Sequence, residues 1–271
     1  MLRARLTVLV GALATVSCGG SSSGTKPVVV VPAPSIPTPT PTPAASPNPG
    51  DTIQALNCTV HDTVRQSSSF TIKPVAGTVT LVAIGSSSTA GLYASSPSAT
   101  YPAVLQQLLS TQPGLAVYAV YNKGVNGDTL AGTQARLQHD VLDLRPQLVI
   151  LQAGTNDALI GQTPTSLSEY AVRLRSVVTV LKAQTSVVLM NSQHFGSEPS
   201  AYADYQGVTA TVAMEQNVPL FDRYGLMKSW IASGKYRYAD MLASDGFHPN
   251  DTTYRCMAQV VAELTLQSTR D

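Results

Sequence analysis

Between Thr78 and Phe221 short runs of β-favouring residues alternate with longer helical patterns, and that alternation admits few folds. The strand candidates are Thr78 to Ile84, Ala116 to Tyr121, Gln147 to Gln152, Ser186 to Met190 and a weaker fifth, Val218 to Phe221. Each is short and strongly apolar, as a strand covered on both faces must be. The helical patterns are Pro102 to Ser110, Leu130 to Leu142, Leu167 to Ala183, Ala201 to Gln216 and Asp251 to Leu266, the first with a proline at a favourable position. This order predicts an α/β fold, a three-layer α/β/α flavodoxin-like sandwich with a central parallel sheet of about five strands. In such a sheet the functional loops lie at the carboxyl ends of the strands.

The first fifty residues belong to no core. Met1 to Arg5 carries two arginines, Leu6 to Val16 is almost wholly apolar and too short to span a bilayer, and Ser17-Cys18 closes the stretch. Residues 1–18 are therefore expected to be a bacterial export signal. The small residue before Cys18 and the Gly/Ser run after it resemble the cleavage box of lipoproteins, with Thr15 where leucine is usual, and this implies a lipidated Cys18. Residues 19–50, with Pro37-Thr38-Pro39-Thr40-Pro41-Thr42-Pro43 at their centre, read as a Pro/Ser/Thr-rich disordered stalk, long enough to hold a domain about 75 Å from its anchor. A strand over Val28 to Val31 is opposed by Pro27 and Pro32. Residues 51–77 form an extension of the domain, which occupies 78–271.

The expected location is thus the bacterial cell envelope, lipid-anchored, with periplasmic or secreted forms as the alternative. Cys58 and Cys256 remain as an even pair in an oxidising compartment. A bridge between them would tie the start of the domain to its last helix, while the alternative is two unpaired buried thiols. Formal net charge is +1 with the basic residues scattered, which supplies no electrostatic footprint for nucleic acid. The expected partner is a small or polymer-borne substrate, with membrane contact only through a lipid anchor, and the domain is expected to be a monomer.

Small polar clusters follow three of the strand candidates: Gly85-Ser86-Ser87-Ser88-Thr89-Ala90-Gly91, Asn122 to Thr129, and Gly154-Thr155-Asn156-Asp157. A nucleophilic serine needs its hydroxyl on a tight turn, a base within reach and donors aimed at the developing oxyanion. The first cluster offers three serines, although a flexible Ser-rich loop is the bland reading. Gly127 offers an unobstructed backbone N–H and Asn156 an uncharged amide; turn geometry needing positive φ, at Gly124 and Gly127, and an N-cap are their alternatives. Asp157 reads as a cap. Near the C-terminus Asp245-Gly246-Phe247-His248 sets a carboxylate and an imidazole three residues apart, the makings of an oriented general base or of a polar turn. A metal site on these two residues lacks a second ligand cluster, and no cofactor is expected. His194 follows a strand and is read as a polar loop residue; His61 and His139 have no carboxylate-paired motif. Trp230, Tyr236, Tyr238 and Phe247 either border the cleft or pack the core.

These blocks resemble those of the SGNH, or GDSL-like, hydrolases over about residues 78 to 267. The family's Gly-Asp-Ser block is similar to Gly85-Ser86-Ser87 and selects Ser87 among the three serines, with Ser86 where the family has aspartate. Its second glycine is similar to Gly127, its Gly-x-Asn-Asp to Gly154-Thr155-Asn156-Asp157, and its Asp-x-x-His to Asp245 through His248. The Gly-x-Ser-x-Gly elbow of the α/β-hydrolases is absent from this region.

The resemblance implies a carboxylic ester hydrolase with the triad Ser87, His248 and Asp245, and an oxyanion hole formed by the N–H groups of Ser87 and Gly127 with the Asn156 amide. The alternatives are a catalytically silent envelope-binding module and an O-acyltransferase on the same fold. Acyl and alcohol specificity depend on loop shape.

Overall fold

A computed structural model describes residues 56–65, 70–112, 116–161 and 164–269. The signal segment with Cys18, the stalk and residues 51–55 lie outside the described residues. The extension supplies α1 (Val60–Thr63) and the two-residue β1 (Val64–Arg65). There follow β2 (Thr78–Gly85), α2 (Ser87–Ala90), α3 (Tyr101–Ser110), β3 (Val117–Gly124), α4 (Leu130–Ala135), α5 (Leu137–Asp140), β4 (Leu148–Gln152) and α6 (Thr155–Ile160). The chain continues through α7 (Pro164–Lys182), β5 (Ser186–Met190), α8 (Tyr202–Glu215), β6 (Leu220–Phe221), α9 (Arg223–Ala232), α10 (Tyr238–Met241) and α11 (Asp251–Ser268).

The sheet runs β1-β6-β5-β4-β2-β3. Strands β2 to β6 are parallel, as expected, and β1 adds an antiparallel edge that the sequence did not announce. Because β2 lies between β3 and β4, the chain reverses its direction of travel across the sheet there, the place where open α/β sheets carry their ligands.

Side-chain alternation divides the core into two layers. Val82, Ile84, Val149, Leu151, Val187 and Leu189 face one way, against residues of α4, α7, α8 and α9 such as Leu130, Leu174, Val212 and Met227. Leu81, Ala83, Leu148, Ile150, Val188 and Met190 face the other, against Leu105 of α3 and Met257 and Val261 of α11. Each large aliphatic side chain so buried contributes about 1.5–3 kcal/mol, which is why these short runs fold as strands despite their length.

The free edge of β3 is covered from within. Gln106 of α3 donates to the Tyr118 carbonyl at 2.9 Å and accepts from the Val120 N–H at 2.8 Å, occupying outward-facing groups that a further strand would use.

Several boundaries differ from expectation. β3 continues to Gly124, so Asn122 to Gly124 are strand and not loop. Gly124 does not have positive φ; a Cβ there would lie 2.0 Å from Ala90 N, so its requirement is space. The single helix expected over Leu130 to Leu142 breaks at Arg136, whose side chain turns toward the sheet. The fifth strand is only Leu220–Phe221. Cys58 and Cys256 form a disulfide, Cα atoms 5.4 Å apart, joining the extension to α11. The extension is further held by the Ile72 N–H, which donates to the Ser268 carbonyl at 2.7 Å.

Candidate active site

Gly85 ends β2 and Ser87 starts α2, so the chain turns from strand to helix within one residue. Only glycine fits the strand end: a Cβ on Gly85 would stand 2.6 Å from Thr89 Oγ1 and 2.7 Å from Gln152 Oε1. The three neighbouring serines then part company. Ser86 donates its N–H and hydroxyl to Gln152 Oε1 at 2.9 and 3.1 Å, and Ser88 donates to Gln193 Oε1 at 3.2 Å. Ser87 Oγ instead meets His248 Nε2 at 3.0 Å.

The other ring nitrogen of His248 lies 2.5 Å from Asp245 Oδ2, while Asp245 Oδ1 accepts the N–H groups of Phe247 and His248, both at 3.0 Å. One carboxylate thus shapes the turn and orients the ring. Burial pushes the Asp245 carboxyl up, but the hydrogen bonds from the His248 ring and the two N–H groups outweigh it and hold it below the ordinary carboxylate value. The Asn250 cap, accepting the Thr253 N–H at 3.0 Å, then launches α11. Both ring nitrogens are hydrogen-bonded in this arrangement.

Aromatic rings surround the imidazole. Phe247 meets it edge-on at 4.7 Å and is packed in turn on Phe195 at 4.8 Å. Tyr93 lies parallel to it, centroids 5.2 Å apart and planes at 20°.

The second and third loops are fastened together. Gly127 sits at φ +75° in a turn closed by Asp128 N–H to Val125 O at 3.1 Å, with nothing within 4 Å of where its Cβ would stand. The Asn156 amide donates to the Asp128 carbonyl at 2.7 Å, which uses one of its two protons. Asp157 accepts the Leu130 N–H at 3.1 and 3.2 Å and so caps α4; burial raises its carboxyl above the ordinary value against the pull of that N–H. Beneath the turn, Arg136 pairs with Asp128 at 2.8 Å and donates to the carbonyls of Gly85 and Lys123 at 3.1 and 2.7 Å, tying the ends of β2 and β3.

Sequence reasoning missed the polar layer under the Ser87 turn. Gln152, 2% exposed, also receives the Thr89 hydroxyl at 3.3 Å and donates to Thr155 Oγ1 at 3.1 Å. Arg223, also 2% exposed, donates to Gln193 Oε1 at 2.9 Å and to Met257 Sδ at 3.3 Å, with no carboxylate bonded to it among the described residues. Burial pushes its guanidinium down to about 10, partly offset by the hydroxyls of Tyr202, Tyr254 and Tyr101. A signal existed: each of these residues is polar and stands at or just past the carboxyl end of an apolar strand.

The remaining candidates fall outside the centre. His194 bonds Glu198 at 2.6 Å and Tyr238 at 3.0 Å, the loop role expected of it. His139 is exposed beside Asp140, and the His61 side chain lies outside the described residues. Trp230 and Tyr236 pack edge to face in the core, Tyr238 is half-buried against His194, and Phe247 borders His248.

A parallel sheet with these polar loops at one edge is an arrangement the chain shares with esterases of the SGNH type, and like them it is a carboxylic ester hydrolase. The chain belongs to the Non-GDSL lipase-like family, whose model matches residues 57–271. It is 29% identical over 175 residues to the esterase TesA of Pseudomonas aeruginosa, covering 63% of this chain and 79% of that one. It is 25% identical over 169 residues to an acetylxylan esterase of Geobacillus stearothermophilus, covering 58% and 75%. Among solved structures, a variant of the acetyl xylan esterase Axe2 from the same organism superimposes with a TM-score of 0.58 at 25% identity, covering 69% of this chain and 94% of that one.

Proposed function

We propose that the protein cleaves carboxylic esters through a Ser87–His248–Asp245 triad and an acyl-enzyme intermediate. The observation that carries this reading is the His248 ring, 2.5 Å from Asp245 on one side and 3.0 Å from Ser87 on the other. His248 Nε2 accepts the Ser87 proton as Oγ attacks the acyl carbonyl, and Asp245 holds the tautomer that leaves Nε2 free to accept. The tetrahedral oxyanion rests on the N–H groups of Ser87 and Gly127 and on the free proton of the Asn156 amide, each donor worth about 3 kcal/mol of barrier. The imidazolium then protonates the departing alcohol, and water, deprotonated by His248, releases the acyl group. The substrate is a small or polymer-borne ester.

The proposed location is the bacterial cell envelope, with Cys18 lipidated. The arginines and apolar run before Cys18 support it, as does the Cys58–Cys256 disulfide, which requires an oxidising compartment. Incorporation of labelled palmitate, lost in Cys18→Ala, tests the anchor.

Turnover of p-nitrophenyl acetate and butyrate by wild type, Ser87→Ala and His248→Ala tests the triad, with fluorophosphonate labelling of Ser87 as the direct readout. Both variants are expected to be inactive and Ser87→Ala unlabelled; full activity in Ser87→Ala would sink the assignment. A panel that adds acetylated xylan, and an acceptor alcohol in competition with water, separates substrate classes and hydrolysis from transfer.

A further inference from the structure

We infer that Tyr93 is a positioning residue for the general base, its ring face cradling the imidazolium that His248 becomes during turnover. This rests on the triad proposed above. Tyr93 takes φ +67°, a left-handed conformation that side-chain-bearing residues avoid, and the residue is 43% exposed, so the fold gains little from having tyrosine there.

The conformation is nevertheless imposed from both sides. The Ala94 N–H donates to the Gly91 carbonyl at 3.0 Å, the Tyr254 hydroxyl donates to the Leu92 carbonyl at 2.6 Å, and the Ser95 N–H donates to Asp251 Oδ1 at 2.9 Å. What these bonds deliver is a ring parallel to the His248 ring at 5.2 Å. A phenol face is electron-rich and attracts a cation more than a neutral ring. His248 is neutral while it waits for the Ser87 proton and cationic once it has taken it, so the contact strengthens as the transition state forms. Asp245 and Ser87 hold the two nitrogens of the ring, Asp251 is engaged by Ser95, and Tyr254 by Leu92, so Tyr93 is the titratable group that meets the ring's face.

The test compares Tyr93→Asn, which tolerates positive φ without the ring, and Tyr93→Phe, which keeps the ring, on p-nitrophenyl acetate. Tyr93→Asn is expected to lower kcat about fivefold with KM within about twofold of wild type, and to move the acid limb of the kcat/KM profile down by about half a pH unit, with an unchanged thermal midpoint. Tyr93→Phe restores most of the turnover. Wild-type kcat and an unmoved acid limb in Tyr93→Asn overturn the inference, as does a loss confined to KM, which would make the ring a substrate contact. Ser87→Ala in the same assay keeps the two readings apart: if it is active the triad fails, and if it is inactive while Tyr93→Asn behaves as wild type, only the role of Tyr93 fails.

Discussion

The carboxamide oxygen of Gln152 accepts both the backbone N–H and the hydroxyl of Ser86, at 2.9 and 3.1 Å, so the last residue of β4 holds the turn that presents Ser87. Serine at position 86 matches this acceptor, whereas a carboxylate there would oppose it.

Gln152→Leu therefore leaves the Ser86 N–H and the Ser86 and Thr89 hydroxyls buried without their acceptor. The expected cost is about 3 kcal/mol of unfolding free energy, read by urea denaturation, together with slower phosphonate labelling of Ser87. Unaltered stability would remove Gln152 from the support of the nucleophile turn.

Asp245→Asn keeps an oxygen for the Phe247 and His248 N–H groups but turns an amide toward Nδ1 and disfavours the productive tautomer. Turnover should fall about 10³- to 10⁴-fold while the domain stays folded by circular dichroism.

The same carboxylate makes a pH prediction. Its folded value lies below the ordinary 3.8, so the stability it adds is complete above the unfolded value and is lost as pH falls through the folded one. The gap in unfolding free energy between wild type and Asp245→Asn should be level above about pH 5 and close below it, measured by urea denaturation across the acid range. A gap that widens on acidification would reverse the sign of the shift.

Arg223 is a buried cation held, among the described residues, by the neutral groups of Gln193 and Met257. Replacing it by methionine, which fills similar space beside Met257, should leave the thermal midpoint unchanged or raise stability by about 1 kcal/mol. A lowered midpoint would show that its bond to Gln193 outweighs the cost of burying the charge.

The Cys58–Cys256 bridge spans 198 positions. Loop-closure entropy sets its contribution at about 5 kcal/mol at most, so Cys58→Ser/Cys256→Ser should unfold at much lower urea yet turn over normally when folded. Reductant should destabilise wild type and leave the variant alone.

Much of this architecture can be read from residues, and what cannot has identifiable causes. The runs Leu148 to Leu151 and Val187 to Met190 declare themselves because burial on both faces favours unbroken apolar residues. β1 does not, since two residues carry no periodicity and its pairing with β6 depends on how the extension returns to the sheet. α9 is obscured by Arg223, a charged residue at a buried position, although Asp222 accepting the Gly225 N–H at 2.9 Å supplies an N-cap. The four motif blocks point to Ser87, Gly127, Asn156, Asp245 and His248 through their likeness to the SGNH blocks, and that likeness alone selects Ser87 among three serines. Gln152, Arg136 and Tyr93 stay hidden until folding brings them to the site, since each acts on a partner distant in sequence.

Ser87 and His248 stand 161 positions apart, and the base is mounted on the turn that feeds α11. The Ser87 turn depends on β2, β4 and β5, while the His248 turn depends on the last helix docking against them. In the proposed triad, a chain clipped before Asp245 would carry Ser87 with no base to activate it. On that reading activity requires the His248 turn to be seated against the sheet, which makes esterase activity a direct gauge of how much of a preparation has reached its finished state.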